Sequence, residues 1–299
     1  MQVQANGLRI EVDDQGPEDG PVVLLIMGLG MPLIAWPQAL VDLLVARGFR
    51  VLRFDNRDIG LSQGFDQAGI PPIAIAGLRH LLRLPGRSPY SLRDMAQDAL
   101  GVLDALGVAR AHVCGASMGG MIAQHVAASA PQRVASLTLM MTSSGARSLP
   151  QPSWALKGNL VSRPTDSGEE AAVEWVMQVL RTIGSPGYPA SDESLHARAR
   201  ASVQRAWHPA GSARQLLAIV ADGDRTPLLR RITAPTRIVH GMDDPLVPLA
   251  CGKQLAQHIA GAQTDFIPGM GHDLPEALLD HFAQGIAENA ARARVGQDA

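Results

Sequence analysis

The stretch Ala111-His-Val-Cys114-Gly115-Ala-Ser117-Met-Gly119-Gly120 decides how this chain is read. Ala111–Cys114 is a short apolar strand and Met118 to Ser129 continues as a helix, so a Gly-x-Ser-x-Gly falls on the turn between them. A strand-to-helix turn of this kind is sharp. It tolerates no bulky side chain at its flanking positions, and it lifts the serine hydroxyl above the sheet edge. It also aims the Met118 backbone N–H and the helix N-terminus at any negative charge that forms there. Five residues with three fixed recur by chance, so the flanking strand and helix are what set Ser117 apart as a candidate nucleophile.

Outward from that turn, short apolar strands alternate with helical segments. Val22–Met27 is a continuous apolar run ending at Gly28, as expected of a strand buried on both faces. Gln38 to Arg47 reads as a helix, Arg50–Phe54 as a strand, and Leu92 to Leu106 as a helix opened by Ser91-Leu-Arg-Asp94 in capping-box spacing. Leu137–Met141 follows as a strand. The opening segment around Asn6-Gly7 carries a hairpin signal, and residues 63–90 form a loop with one short helix around Leu78 to Arg83. Alternation of this kind predicts an α/β fold with a mostly parallel, doubly wound sheet.

The rhythm breaks between residues 146 and 226, where only helices are suggested, at Glu169 to Ile183, Asp192 to Trp207 and Ser212 to Asp222. It resumes with Thr236–His240, a helix over Leu249 to Ile259, Thr264–Ile267 and a closing helix after Pro275. We therefore expect a core of 1–145 and 227–299 interrupted by a helical cap over 146–226 with no core of its own. The tail from about Ala291 is expected to fray.

A serine needs a base that a third group orients. Past the helical stretch, His240-Gly-Met-Asp243-Asp244-Pro-Leu-Val-Pro248 ends one strand and Pro268-Gly-Met-Gly271-His272-Asp-Leu-Pro275 follows the next. Side chains alternate in direction along a strand, so only one of the two adjacent acids can face the histidine. Asp244 is favoured because Pro245 fixes the turn after it, which leaves Asp243 as a solvated or turn-capping acid. His272 lies between Gly271 and Pro275 in a loop on the strands' C-terminal side and is the expected base. His112 and His240 read as packing or hydrogen-bonded residues. A second oxyanion donor is expected from the Leu29 N–H in Met27-Gly28-Leu29-Gly30, where glycines permit close backbone approach. The same glycines do not make a dinucleotide fingerprint: Leu33 stands where the third glycine belongs, and Pro32 lies inside the supposed motif.

Composition narrows the function classes. The chain has 299 residues, 46% hydrophobic and 4% aromatic, with 26 Lys+Arg against 28 Asp+Glu for a net charge of −2. That balance offers no basic face for nucleic acid and argues against intrinsic disorder. Cys114 and Cys251 form no framework or CxxC pair and read as small hydrophobes in a reducing compartment. The N-terminal segment MQVQANGLRIEV lacks the charged and apolar regions of a secretory leader. The most apolar stretch, Pro21 to Trp36, is punctuated by Gly28, Gly30 and Pro32 and falls short of the roughly 20 residues that span a bilayer. The expectation is a cytoplasmic protein with no membrane or nucleic-acid partner, no metal site and no cofactor, and with a homodimer left open.

Taken together, MGLG at 27–30, DNRDIGLS at 55–62, GASMGG at 115–120, HGMDDPLVP at 240–248 and PGMGHDLP at 268–275 resemble the α/β-hydrolase superfamily over nearly the whole chain. Within it the chain is similar to the aclacinomycin methylesterase-like hydrolases, through the MG entry after the first long strand, the R-D-x-G-x-S loop and the PGMGH-x-LP ending. The resemblance implies the α/β-hydrolase fold and a Ser–Asp–His triad that cleaves a carboxylic ester without a cofactor. Ser117 would be the nucleophile, Asp244 the acid and His272 the base, with the Leu29 and Met118 N–H groups as oxyanion donors. Two departures stand out: Met27 replaces the histidine of the commoner His-Gly entry, and Asp58 stands where glycine is common. The cap does not visibly match that of the methylesterases, so their polyketide substrate is not implied.

The elbow serine argues against dehalogenases and epoxide hydrolases of this fold, which need aspartate there. Gly28, Met31, Trp154, Trp175 and Trp207 are candidate pocket residues for a small or apolar ester, although the tryptophans would equally serve cap-to-core packing. A C–C bond hydrolase using the same triad and a non-catalytic ligand receptor on this scaffold are the alternatives.

Overall fold

The computed structural model describes residues 1–69, 79, 82, 86, 88–152 and 168–295. Most of the short helix expected around Leu78 to Arg83 and the candidate pocket residue Trp154 lie outside them. Asn6 and Gly7, both with positive φ (51° and 76°), form the tight turn joining β1 (Gln2–Ala5) to β2 (Leu8–Gln15). The strands β3 (Val22–Ile26), β4 (Arg50–Phe54), β5 (Ala111–Ala116), β6 (Val134–Met140), β7 (Thr236–Gly241) and β8 (Gln263–Ile267) complete an eight-stranded sheet. Its order is β1-β2-β4-β3-β5-β6-β7-β8. Only β1 and β2 run antiparallel to their neighbours, and the other six strands are mutually parallel.

Strand order reverses between β3 and β5, which pair directly with Ile26 opposite Gly115. Chain leaving β3 turns toward β4, whereas chain leaving β5 turns toward β6. The C-terminal ends of β3 and β5 therefore open a crevice at the switch point, the usual place for a ligand in an open α/β sheet.

Helices cover both faces. After α1 (Gln38–Ala46) come α2 (Leu92–Ala105) and α3 (Met118–Ser129), which bury Leu92, Met95, Val102, Ile122 and Val126 against one face of the sheet. The α2 start is a true capping box: Ser91 Oγ accepts the Asp94 N–H at 3.1 Å, and Asp94 Oδ2 accepts the Ser91 N–H at 2.8 Å. Between β6 and β7 the described residues form α4 (Glu169–Ile183), α5 (Asp192–Arg205), α6 (Pro209–Asp222) and α7 (Thr226–Leu229). Then α8 (Leu249–His258) links β7 to β8, and α9 (Leu279–Val295) packs with α1 over the second face through Phe282, Ile286, Leu40 and Leu44. None of the described helices is long and apolar enough to cross a membrane.

Two expectations are corrected. The helical stretch does have a core of its own: the α4 stripe Ala172, Val173, Val176, Met177 and Leu180 closes on Leu195, Ala199 and Val203 of α5. Its helical periodicity was visible, but the sequence did not show that the stripe's partner is the next helix rather than the sheet. The tail does not fray at Ala291, since α9 runs to Val295. Arg292 fastens it by donating to the carbonyls of Thr236 at 3.1 Å and Gly261 at 2.9 Å.

The helical stretch is fastened to the rest by buried ions. Arg214 of α6, 1% exposed, makes a bidentate pair with Asp58 at 2.6 and 2.7 Å. Burial alone would raise the Asp58 carboxyl, but Arg214, the Phe65 N–H and the Tyr90 hydroxyl hold it below the ordinary carboxylate range. Its contribution to stability is therefore present above about pH 4, the pKa of an unfolded aspartate, and fades as pH falls through the lower folded value. Arg214→Met leaves a buried carboxylate unpaired and should destabilise the protein by about 3–5 kcal/mol. Arg200→Ala, which breaks an exposed pair with Glu170, should cost less than about 1 kcal/mol. Urea denaturation of both variants checks the contrast.

Candidate active site

The site at the switch point is built from loops that leave the parallel strands β3, β5, β7 and β8, with β6 lying between β5 and β7. Ser117 leaves β5 with φ 55° and ψ −120°, a conformation rare for a side-chain-bearing residue. Its N–H donates to the Met140 carbonyl at 2.9 Å, and its own carbonyl accepts the Thr142 hydroxyl at 2.6 Å. Glycine is required on either side: a Cβ on Gly119 would run into the Ile26 carbonyl, and one on Gly115 would meet the Gly119 carbonyl. The turn is held as a unit, with Ser117 at the N-terminus of α3.

His272 arrives from the loop after β8. Its Nε2 lies 2.9 Å from Ser117 Oγ, and its Nδ1 lies 2.7 Å from Asp244 Oδ2. Because the carboxylate can only accept, Nδ1 carries the proton and Nε2 is left to accept from the serine hydroxyl. Asp244 leaves β7, and its side chain is fully buried. Its Oδ1 accepts the N–H groups of Leu246 at 2.9 Å and Val247 at 2.7 Å, a turn that the intervening Pro245 favours. Asp243 faces elsewhere, accepting the Gly269 N–H at 2.8 Å and so bracing the loop that carries His272.

A second histidine touches the same carboxylate. His240 Nε2 donates to the Val247 carbonyl at 2.7 Å and lies 3.7 Å from Asp244 Oδ2. Burial lowers its pKa, so it stays neutral beside the acid. His112, likewise buried, bonds Ser136 Oγ at 2.9 Å. His125 has a partner the sequence did not reveal, Asp222 at 2.9 Å.

Gly28 passes so close to the elbow that a Cβ there would lie 3.1 Å from the Ser117 Cβ. Among the described residues neither the Leu29 nor the Met118 N–H has an acceptor, so both donors are free beside Ser117. Met31 packs against both the α1–α9 cluster and the α4–α5 cluster. Trp175 joins the latter, and its ring meets Trp207 edge-on with centroids 5.8 Å apart. Trp207 is 38% exposed.

Several residues of the site escaped sequence reasoning because their partners lie between 22 and 185 residues away along the chain. The 55–58 loop is read as a motif, yet its functions appear only with the fold. Asn56 Nδ2 donates to the Met27 carbonyl at 2.8 Å, and Asp55 Oδ1 accepts the Leu33 N–H at 2.6 Å. The other Asp55 oxygen takes Arg205 of α5 at 2.8 Å. Gln215 of α6 accepts the Gly30 N–H at 2.9 Å. On the histidine side, the Gly271 N–H donates to Ser185 Oγ at 2.8 Å, and the Ser185 hydroxyl donates to Asp273. Burial pushes the Asp273 carboxyl up.

This chain belongs to the alpha/beta hydrolase fold family, whose pattern matches residues 21–276. Among its relatives it is 31% identical to a rhodomycin D methylesterase of Streptomyces sp. (strain C5) over 93% of each chain. It is 28% identical to a 2-hydroxy-6-oxononadienedioate/2-hydroxy-6-oxononatrienedioate hydrolase of Pseudomonas sp., over 95% of this chain and 92% of the relative. Among solved structures, a meta-cleavage product hydrolase from Pseudomonas fluorescens IP01 superposes with a TM-score of 0.74 at 21% identity over 98% of each chain.

The adjacent acids give a sharp test. Asp244→Asn removes the charge that orients His272 and should slow covalent labelling of Ser117 by a fluorophosphonate by about 10³- to 10⁴-fold. Asp243→Asn should leave the labelling rate within about threefold. Stopped-time labelling read by intact mass checks both.

Proposed function

We propose that the protein hydrolyses a small or apolar carboxylic ester, a methyl ester among the candidates, through an acyl-enzyme on Ser117. The observation that carries this reading is the unbroken hydrogen-bond chain Ser117–His272–Asp244 ending beside two free backbone donors. In the first step His272 Nε2 takes the Ser117 proton as Oγ attacks the ester carbonyl. Charge on the carbonyl oxygen is met by the Leu29 and Met118 N–H groups and by the N-terminus of α3. Collapse of the intermediate expels the alcohol, which takes the proton from His272. Water then enters, His272 removes its proton, and the same sequence releases the acid and restores Ser117. Asp244 holds the imidazole in the required tautomer and stabilises its charged form; it keeps its own charge throughout.

Residues 146–226 act in this reading as a cap, with Gly28, Met31, Trp175 and Trp207 facing the acyl or alcohol group. An apolar surface of Met31 and Trp175 against the α4–α5 cluster suits an ester better than a doubly charged dienedioate. Support for the ester class also comes from the methylesterase relative, whose likeness covers nearly the whole of both chains.

A panel of p-nitrophenyl esters of increasing acyl length should be turned over by the wild type. Ser117→Ala should lower kcat by about 10⁶-fold without a comparable loss of thermal stability. Turnover retained in Ser117→Ala would remove the proposed nucleophile. If all esters resist the wild type while a vinylogous 1,5-diketone is cleaved, the reaction is C–C hydrolysis instead.

A further inference from the structure

The Leu29 N–H comes from a loop that has left the β-ladder, and a donor on a free loop cannot stay aimed at a developing charge. Three successive peptide units decide its direction. The carbonyl of the Met27–Gly28 unit accepts from Asn56 Nδ2 at 2.8 Å. The N–H of the Leu29–Gly30 unit donates to Gln215 Oε1 at 2.9 Å. The Gly28–Leu29 unit between them carries the free donor. Its own carbonyl accepts the Met31 N–H only at a long 3.4 Å, so the shorter bonds of the two buried side-chain amides, one on either side, fix its orientation most firmly.

These amides are themselves tied together. Gln215 Nε2 donates to the Arg57 carbonyl at 2.8 Å, one residue from Asn56, and both side chains are buried, Gln215 completely. Asn56 belongs to the sheet-end loop after β4, but Gln215 belongs to α6 of the inserted helices. Close contact reinforces the attachment: Gly30 has φ 69°, and a Cβ on it would lie 2.8 Å from Ser212 Oγ, also on α6. The neighbouring Arg214–Asp58 pair fixes α6 against the same loop.

We infer that Gln215 is a positioning residue for the oxyanion hole, so that the seating of α6 sets the aim of the Leu29 N–H. The inference rests on the ester-hydrolase reading of Ser117. Gln215 touches neither substrate nor Ser117 in this account; it acts only through the Leu29–Gly30 peptide. Loss of the Gly30 anchor lets the Gly28–Leu29 unit turn, and its donor no longer meets the oxyanion. Because the substrate's neutral carbonyl draws far less on that donor than the transition state does, the deficit falls on kcat rather than KM.

The test uses Gln215→Leu and the milder Gln215→Asn in the full-length protein, with p-nitrophenyl butyrate as substrate. The number of reactive serines is first counted by end-point titration with a fluorophosphonate, so that misfolded protein is excluded from kcat. We expect kcat per titrated serine to fall by about 10- to 100-fold in Gln215→Leu, the scale of a misplaced catalytic group, with KM changed by less than about threefold. The affinity for an alkylboronic acid, which forms a tetrahedral adduct with the serine, should fall in parallel with kcat. Gln215→Asn should fall in the same direction. Values of kcat per titrated serine within twofold of wild type in both variants would overturn the inference, as would a rise in KM alone. A wild type that neither hydrolyses the ester nor takes up phosphonate would instead overturn the underlying reading.

Discussion

The backbone of Ser117, held at a positive φ of 55°, is the constraint around which the rest of this structure is arranged. A residue with a side chain occupies that region only when its surroundings over-determine it, at a cost on the order of 1–3 kcal/mol. Here the surroundings are specific. The Met140 carbonyl and Thr142 hydroxyl grip the peptide groups of Ser117, while Gly115, Gly119 and Gly28 leave room for neighbouring backbone to pass. The result is a hydroxyl at the mouth of a helix N-terminus, within 2.9 Å of an imidazole. Its placement over the switch point follows from the pairing of β3 with β5, which brings the Gly28 loop alongside the turn.

The inserted helices brace this site from two sides. Toward the Gly28–Gly30 loop they send Arg205, Arg214 and Gln215 into the 55–58 loop and Gly30. Toward His272 they send the end of α4 and the segment after it: the His272 N–H donates to the Ile183 carbonyl at 2.8 Å, and the Gly187 N–H donates to the Gly269 carbonyl at 2.8 Å. A helical unit with its own small core can act as a rigid brace rather than a loose flap. The two departures in sequence motif fit this picture. Asp58, unusual in its loop, is the acid that receives Arg214. Met27 contributes no polar side chain, but its carbonyl is the anchor point for Asn56.

How much was legible beforehand depended on the range of the interaction. Patterns of two to six residues were readable because local geometry dictates them: the Asn6-Gly7 hairpin, the Ser91 capping box, the Gly-x-Ser-x-Gly turn. The alternation of apolar strands with helices was enough for the parallel sheet, and Pro245 was enough to prefer Asp244 over Asp243. Side-chain anchors across the chain were not readable. Nothing near Gln215 or Arg214 in sequence says that an α6 amide meets Gly30 or that a guanidinium meets Asp58. Likewise, the apolar stripe of α4 is the same whether its partner is the sheet or α5, and only the fold separates those cases. The anchoring of Arg292 by carbonyls at Thr236 and Gly261 has the same character, which is why a polar-looking tail is helical to Val295.

The central claim is that Ser117 becomes acylated during turnover. The direct measurement is rapid-quench mass spectrometry of the protein mixed with excess p-nitrophenyl acetate, followed by peptide mapping. An acyl-enzyme mechanism predicts a transient gain of one acyl group on the peptide holding Ser117, formed in step with the burst of p-nitrophenol and cleared as substrate is exhausted. Steady hydrolysis with no acyl mass on that peptide in a protein that also shows no burst, or an acyl group mapped to another residue, would contradict it.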